Sequence, residues 1–412
     1  MEKIKEGRRK TEIGLIPDSW KVKEIGELCD FIVPGRNKPK DFKGDIPWIT
    51  TPDIDGIKVS TSRAELFISK EEAKSVGSKI VPKDSIIMSC VGDLGLVAIA
   101  EKNIVINQQL HAFLPSGKTI QLYLLYALSM QKKQMENKAT KTAVPYLNKD
   151  NCNSIQIPLP PTLEEQKAIA TALSDVDALI QSLDKLIAKK KAIKQGTMQR
   201  LLKSPAEGGQ RLPGFSGEWE VKRLGDILDV DPENLSSSTN EDYSFDYISL
   251  EDVERGSLKG MTKMNFKDSP SRARRVVRKE DILFGTVRPN LKSHYLFLKE
   301  KDDIVCSTGF CVLRSVSKKV KTTYVYYHLF GYDIKNQINA ILVGSSYPAV
   351  NSKDVKNLTI SIPINVKEQQ AIAQILSDMD QEIEILAQKR EKYRSIKQGM
   401  MQELLTGKKR LL

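Results

Sequence analysis

Two rhythms of apolar and polar residues alternate along this chain. Over residues 163–202, apolar or small residues recur at Ile169, Ala172, Val176, Leu179, Leu183, Leu186 and Ile193, a three–four alternation broken by Lys190. Over 366–405 the stripe is Ile372, Ile375, Met379, Leu386, Tyr393 and Ile396, interrupted by Glu382 and Lys389. Such spacing keeps one helix face apolar. Its length, well past the ~11–12 residues of a mean helix, argues for a coiled-coil seam. One amphipathic helix lying on a globular core is the alternative. Thr162 and Asn365 each stand three residues before a Glu, the capping-box spacing that satisfies the open amides of a first turn. The second rhythm fills residues 19–158 and 219–361, where short β-branched runs mix with possible helices such as Ile120–Met130. Each stretch reads as an α+β domain.

The helical stripes are copies of one another. Residues 163–202 and 366–405 align without gaps at an offset of 203, and twenty of those forty positions are identical, among them Glu165/Glu368, Gln166/Gln369, Asp177/Asp380 and the run IKQG. At an offset of 199, Trp20-Lys21-Val22-Lys23 faces Trp219-Glu220-Val221-Lys222, Trp48-Ile49 faces Tyr247-Ile248, and Asp53 faces Asp252. Lys83–Ile87 resembles Lys279–Leu283, and Asn103-Ile104-Val105 resembles Asp303-Ile304-Val305, while most of what surrounds them has drifted. Gly196 and Gly399 interrupt the helices at matching places, each at ~1 kcal/mol against alanine, which suggests close backbone approach to the other helix or to a partner. The predicted architecture is therefore α+β: two globular domains separated by two long antiparallel coiled-coil helices, a tandem pseudo-twofold repeat. The boundaries read as an arm 1–18, a globule 19–158, a helix 159–203, a Gly/Pro/Ser linker 204–218, a globule 219–361, a helix 362–405 and a tail 406–412.

Composition narrows the partner. The net charge is +12 and the sequence pI about 9.2, which favours a polyanion, nucleic acid being the commonest. Apolar runs such as Leu94–Ala100 fall far short of a membrane span, and MEKIKEGRRK has no apolar stretch behind its charges, so a cytoplasmic protein is expected. Five cysteines without C-x-x-C spacing and three histidines assemble no standard zinc site. A helix of forty residues spans ~60 Å, enough to hold two unlike modules against two half-sites on one face of a duplex.

Candidate contacts lie in basic or hydroxyl-rich loops. Between Arg255 and Lys292 there are eleven Lys/Arg against three acids, including Arg272, Arg274 and Arg275 and the segment with Arg288, Asn290 and Lys292. Arginine suits guanine and asparagine adenine in the major groove. In the first half, Arg36, Asn37, Lys38, Lys40 and Lys43 form a Pro/Gly-punctuated basic loop. Loops 140–148, with Lys141, Thr142 and Tyr146, and 343–351, with Ser345, Ser346 and Tyr347, offer hydroxyls for phosphate contacts. Solvated basic faces and ordinary strand connections are the bland alternatives.

Catalytic motifs fail where tested. Ser116-Gly117-Lys118-Thr119 ends like a phosphate-binding loop, but the earlier glycine position holds Ala112. No G-x-G-x-x-G occurs, and the only Pro-Pro, at 160–161, lacks the flanks an amino-methyltransferase needs. A nuclease pattern can be forced from Pro52-Asp53 with Glu72 and Lys74, which would have to converge on Mg²⁺, and no Ser/His/Asp or Cys/His set stands out. No catalytic residue and no metal ligand is expected. A basic coiled-coil scaffold without sequence readout and a stand-alone nuclease remain the rival readings.

The segments TEIGLIPDSWKVKEIGEL (11–28), RLPGFSGEWEVKRLGDI (211–227), IPLPPTLEEQKAIA (157–170) with IPINVKEQQAIA (362–373), and IKQGTMQRLL with IKQGMMQELL resemble type I restriction–modification specificity subunits. ILFGTVRPNLK (282–292) with CSTGFCVLR (306–314) is similar to one class of target-recognition domain. SCVGDLGLVAI (89–99) with INQQL (106–110) is similar to another. The resemblance covers nearly the whole chain. It implies a non-catalytic DNA-specificity subunit whose two target-recognition domains read the two parts of an asymmetric bipartite site, with the helices setting the spacer. It further implies double-stranded DNA, two modification (methyltransferase) subunits and ATP-dependent motor-nuclease restriction subunits as partners. S-adenosylmethionine, ATP and Mg²⁺ would belong to those partners, leaving this chain without a cofactor.

Overall fold

The computed structural model describes residues 7–35, 37–317, 319–342 and 348–411. The chain forms two compact units whose boundary falls inside both long helices. Residues 1–184 with 388–412 make one unit, and 185–387 make the other.

Each unit carries the same pair of sheets. In the first, Ile86–Ser89 lies between Leu110–Phe113 and Val97–Ala100, both antiparallel to it, and Ile46–Ile49 runs parallel to Val105–Ile106. In the second, Ile282–Gly285 lies between Phe310–Ser315 and His294–Leu296, and Ser244–Ile248 runs parallel to Ile304–Ser307. The sequence landmarks that survive between the halves are these strands. They tolerate little drift because they are buried on both faces. Ile86 and Met88 pack into the cluster shared with the long helices, while Ile87 faces a separate inner cluster. Ile282 and Phe284 divide from Leu283 in the same way.

A short antiparallel pair seats each long helix. Gln156–Leu159 pairs with Lys21–Glu24, and Thr359–Pro363 with Trp219–Arg223. Only Leu159 and the pair Ile362-Pro363 of these strands fall inside the stretches expected to be helical, and the helices run from Leu163 to Leu201 and from Val366 to Leu404, close to the repeated forty-residue segments. The capping boxes form only in part. The Glu165 amide donates to Thr162 Oγ1 at 3.2 Å, but the carboxylates of Glu165 and Glu368 turn away to receive Arg410 and Arg211. Both carboxylates are buried, and a guanidinium fork satisfies two oxygens at once. Gln166 and Gln369 complete the seat, each accepting a backbone amide from the globule, that of Ile120 at 3.0 Å and that of Lys321 at 2.9 Å.

The helices run antiparallel within each unit. In the first, Asp177 meets Lys397 at 2.7 Å and Asp184 meets Arg390 at 2.9 Å. In the second, Lys190 meets Glu382 at 2.6 Å and Lys194 meets Asp380 at 2.5 Å. Tyr126 and Tyr327 donate to Asp177 and Asp380 from the globules. The seam corrects the expected stripe. Ile169, Leu173, Ile180, Leu183 and Ile187 are buried, whereas Leu179, Leu186 and Ile193 are exposed. The stripe through 173, 180 and 187 lies one residue over from the one through 179, 186 and 193. A step of one residue turns a helix by about 100°. On the second helix Ile372, Leu376, Met379 and Leu386 turn inward, while Ile396 is exposed. Gly196 and Gly399 have no atom within 4 Å of where a Cβ would stand. Of the two explanations for these glycines, approach by the other helix therefore fails among the described residues. No described helix is long and apolar enough to cross a membrane.

Candidate nucleic-acid interface

At one end of each globule three loops are joined by the same backbone bonds. In the first unit the Cys90 amide donates to Gln109 O at 2.8 Å, the Leu147 amide to Cys90 O at 2.8 Å, and the Gly92 amide to Pro145 O at 2.9 Å. In the second the Thr286 amide donates to Gly309 O at 2.8 Å, the Val350 amide to Thr286 O at 3.0 Å, and the Arg288 amide to Pro348 O at 2.8 Å. The bridges Val91–Tyr146 and Val287–Ala349 match as well. Asn148 and Asn351 then cap the short helices that follow. The scaffold is thus shared and its side chains are not: Gly92 corresponds to Arg288, Gln109 to Gly309, and Tyr146 to Ala349.

The expected contact residues fall into three groups. Arg36, Ser345, Ser346 and Tyr347 lie outside the described residues. Asn37, Lys38, Lys40, Lys43, Lys141, Thr142, Tyr146, Arg272, Arg288 and Asn290 are exposed. Of these, Lys38 stands 5.7 Å from the centroid of the Trp48 ring, and the two share with Asn37 and Asn107 the lining of a cavity of about 300 Å³. Arg272 offers its carbonyl to the Thr308 amide at 2.8 Å, which places it beside the Gly309 loop. Thr142 turns its hydroxyl back to Val144 O at 2.8 Å.

The third group is engaged by its own unit. Arg275 is half-buried in an ion pair with Asp231. Arg274 lies with its guanidinium 4.8 Å from the Phe266 ring centroid and donates to its neighbour's carbonyl, Ala273 O. Lys292 donates to Phe330 O at 2.8 Å, and burial, with Lys335 and Arg255 nearby, holds its ammonium below the usual lysine range. These three were expected at DNA. In the structure each of their charged ends meets an acceptor or ring of the same unit.

Arg288 stands apart. Its φ of 49° is left-handed, a region that costs an ordinary L-residue roughly 1–2 kcal/mol and glycine almost nothing. The matching position in the first unit is Gly92, with φ 76°. Lys292, at φ 57°, closes the same tight turn. Between them Leu291 is 52 % exposed. Arg288 and Leu291 line an open cavity of about 620 Å³ together with Arg255 and Lys259. Sequence reasoning singled out Arg288 as a base-reading candidate, with a residue tying a turn as the alternative; the backbone angle needed coordinates.

Both carboxylates of the forced nuclease pattern, Asp53 and Glu72, accept hydrogen bonds from loop backbone amides. Asp53 accepts from the Thr50 amide and hydroxyl, each at 2.7 Å, and from the Arg63 amide at 2.6 Å. Asp252 repeats this on Ser249, which explains the paired aspartates. Glu72 accepts from the Lys40 amide at 2.7 Å. Among the described residues no three His, Cys, Asp or Glu side chains group as a metal site.

Comparison with known proteins places this arrangement. The family model described as "Type I restriction modification DNA specificity domain" matches residues 17–194 and again 216–393. The MjaVIII specificity subunit of Methanocaldococcus jannaschii is 26 % identical over 439 residues, covering 100 % of this chain and 98 % of that protein. The putative MjaX specificity subunit of the same organism is 29 % identical over 428 residues, covering 98 % and 97 %. Among solved structures, the type I S subunit from M. genitalium superposes with a TM-score of 0.60 at 16 % identity, covering 94 % of this chain and 96 % of that one. A chain from a structure of complex assembly and conformational transition in a type I R-M system gives a TM-score of 0.52 at 16 % identity, covering 95 % and 98 %. At such identities the structures speak for the fold alone.

Proposed function

The chain belongs to the type I restriction–modification DNA specificity family, and from that premise we propose that it reads an asymmetric bipartite DNA site, one half-site by each unit. The observation that carries this reading is the three-loop scaffold. Its backbone bonds are repeated bond for bond, while the side chains it presents differ at Gly92/Arg288, Gln109/Gly309 and Tyr146/Ala349. Two copies of one frame with unlike surfaces suit a site of two unlike halves. Affinity comes from exposed cations such as Lys38, Lys141 and Arg272 meeting phosphates, and discrimination from side chains at base edges. The chain performs no chemistry of its own in this reading. Two modification subunits supply S-adenosylmethionine and methylate adenine, and motor-nuclease subunits supply the ATP- and Mg²⁺-dependent cleavage, in the cytoplasm. Methylome sequencing of cells with and without the gene tests it. An adenine-methylated two-part motif should vanish on deletion, and an unchanged methylome would refute it.

Within that function Arg288 reads bases. A bulky residue held in a left-handed turn that the sister unit fills with glycine is retained for its side chain. Arg288→Gly should relieve the backbone strain at this turn, since glycine adopts a φ of 49° at almost no cost. It should also cut discrimination in the second unit's half-site by ~1–3 kcal/mol and leave the other half-site intact. A variant that lost stability but kept both preferences would assign Arg288 to the fold.

A further inference from the structure

Gln109 lies in the loop between the strands Val105–Ile106 and Leu110–Phe113, beside the three-loop scaffold through the Cys90–Gln109 bond. A glutamine amide has a donor end and an acceptor end, and nothing in the residue itself decides which faces outward. Here a chain of bonds decides it. The Gln109 backbone amide, which can only donate, meets Asn107 Oδ1 at 3.1 Å. That bond fixes the Asn107 side chain with Oδ1 inward and Nδ2 free to donate. Asn107 Nδ2 then donates to Gln109 Oε1 at 3.1 Å, and the Thr51 hydroxyl donates to the same oxygen at 3.3 Å. Gln109 Oε1 is thereby occupied by two donors. Gln109 Nε2, on an exposed side chain, keeps both hydrogens without an acceptor among the described residues.

We propose that Gln109 is a specificity-determining residue of the first unit that acts as a donor only and selects guanine at one position of its half-site. This rests on the DNA-reading function above and deepens it. A glutamine free to use both ends pairs with adenine, accepting from N6 and donating to N7. With Oε1 already filled, adenine N6 meets no acceptor. Guanine offers two acceptors side by side, N7 and O6, to the two hydrogens of Nε2. Thymine offers one acceptor, O4, and cytosine presents the N4 amino group, donor against donor. The order of preference at that position is guanine, thymine, adenine, cytosine. The second unit has Gly309 at the matching place, so this reader has no equivalent there and contributes to the asymmetry of the site.

The test uses the full chain assembled with its modification subunits. Methylation is measured on duplexes carrying each of the four bases at every position of the first unit's half-site. The wild type should require guanine at one position. Gln109→Ala should flatten that position by roughly tenfold or more and leave every other position, and the second half-site, unchanged. Asn107→Ala frees the amide to turn over, and should admit adenine beside guanine there, a gain that general loosening would not produce. Adenine or cytosine as the base lost in Gln109→Ala would overturn the donor-only assignment. So would unchanged discrimination at all positions, or equal damage to both half-sites. A wild-type complex with no two-part preference at all would instead count against the DNA-reading function itself.

Discussion

Residues 1–215 alone should form a dimer and, with modification subunits, methylate an interrupted palindrome. The first unit completes its core with the end of the second long helix. Leu404 and Leu405 are buried there beside Ile169 and Leu173, and Met400 and Met401 pack against them. The end of the first helix supplies the same residue types at the matching places, Met198, Leu201 and Leu202, which do this work for the second unit. A second copy of the fragment therefore offers what the missing half provided. Lys194 of one copy replaces Lys397 on Asp177 of the other, and a twofold pairing satisfies both copies alike.

The length of the fragment matters. Glu165 is buried and depends on Arg410, which the fragment lacks, but Arg211 holds the equivalent Glu368 and can substitute. Ending at residue 205 removes Arg211 and strands a buried carboxylate, so 1–205 should dimerise at least roughly tenfold more weakly than 1–215. Sedimentation equilibrium of both fragments and the methylation motif of 1–215 decide it. A monomeric 1–215, or a motif that stays asymmetric, would sink the duplicated-reader model.

Acid should unfold the second unit first. Burial holds His294 and His328 down to about 3 and His111 to about 4, against ~6.5 in an unfolded chain. A depressed histidine is neutral in the folded state while the unfolded state takes up the proton. The associated stability is therefore fully present above pH ~6.5 and is lost as pH falls from there toward the folded values. His294 stacks 4.4 Å from Phe284 and His328 packs 4.9 Å from Tyr324, both in the core of the second unit, whereas the first unit has only His111. Two protons linked in this way remove up to ~3 kcal/mol per pH unit, from a total of ~5–15 kcal/mol for a domain. Glu233, held low chiefly by its bond from Arg278, extends the loss below pH ~4.5. Urea unfolding from pH 8 to pH 4, followed by tryptophan probes in each unit, should show a flat plateau above pH 7 and an earlier collapse of the second unit. His328→Phe should shed one linked proton and shift that collapse to lower pH. A stability profile independent of pH between 7 and 5 would remove histidine burial as the cause.

The repeat at offset 203 and the two long helices were legible from residue order alone. Each is a property of local spacing or of identity between distant segments, and neither needs a partner in space. The landmarks kept between the diverged halves, such as Lys83–Ile87 with Lys279–Leu283, marked the central strands because burial on both faces restricts what those positions accept.

Tertiary structure alone decided which face of each helix is the seam. Leu179 and Ile180, and Leu186 and Ile187, are adjacent apolar residues, so the sequence supports two stripes about 100° apart. The choice follows from how the Gln156–Leu159 strand and the Glu165–Arg410 pair seat the first turn. It likewise divided the cations, which a charge count treats as equal. Asp231 claims Arg275 and the Phe330 carbonyl claims Lys292, while Arg272 stays exposed beside the Gly309 loop. The donor-only state of Gln109 belongs to the same class. It depends on Thr51, fifty-eight residues away, and on a backbone amide whose direction only the folded loop defines. Pattern along the chain determines which elements form, because hydrophobic spacing and capping act within a few residues. Which polar groups remain for a ligand is decided only when distant acceptors have taken their share.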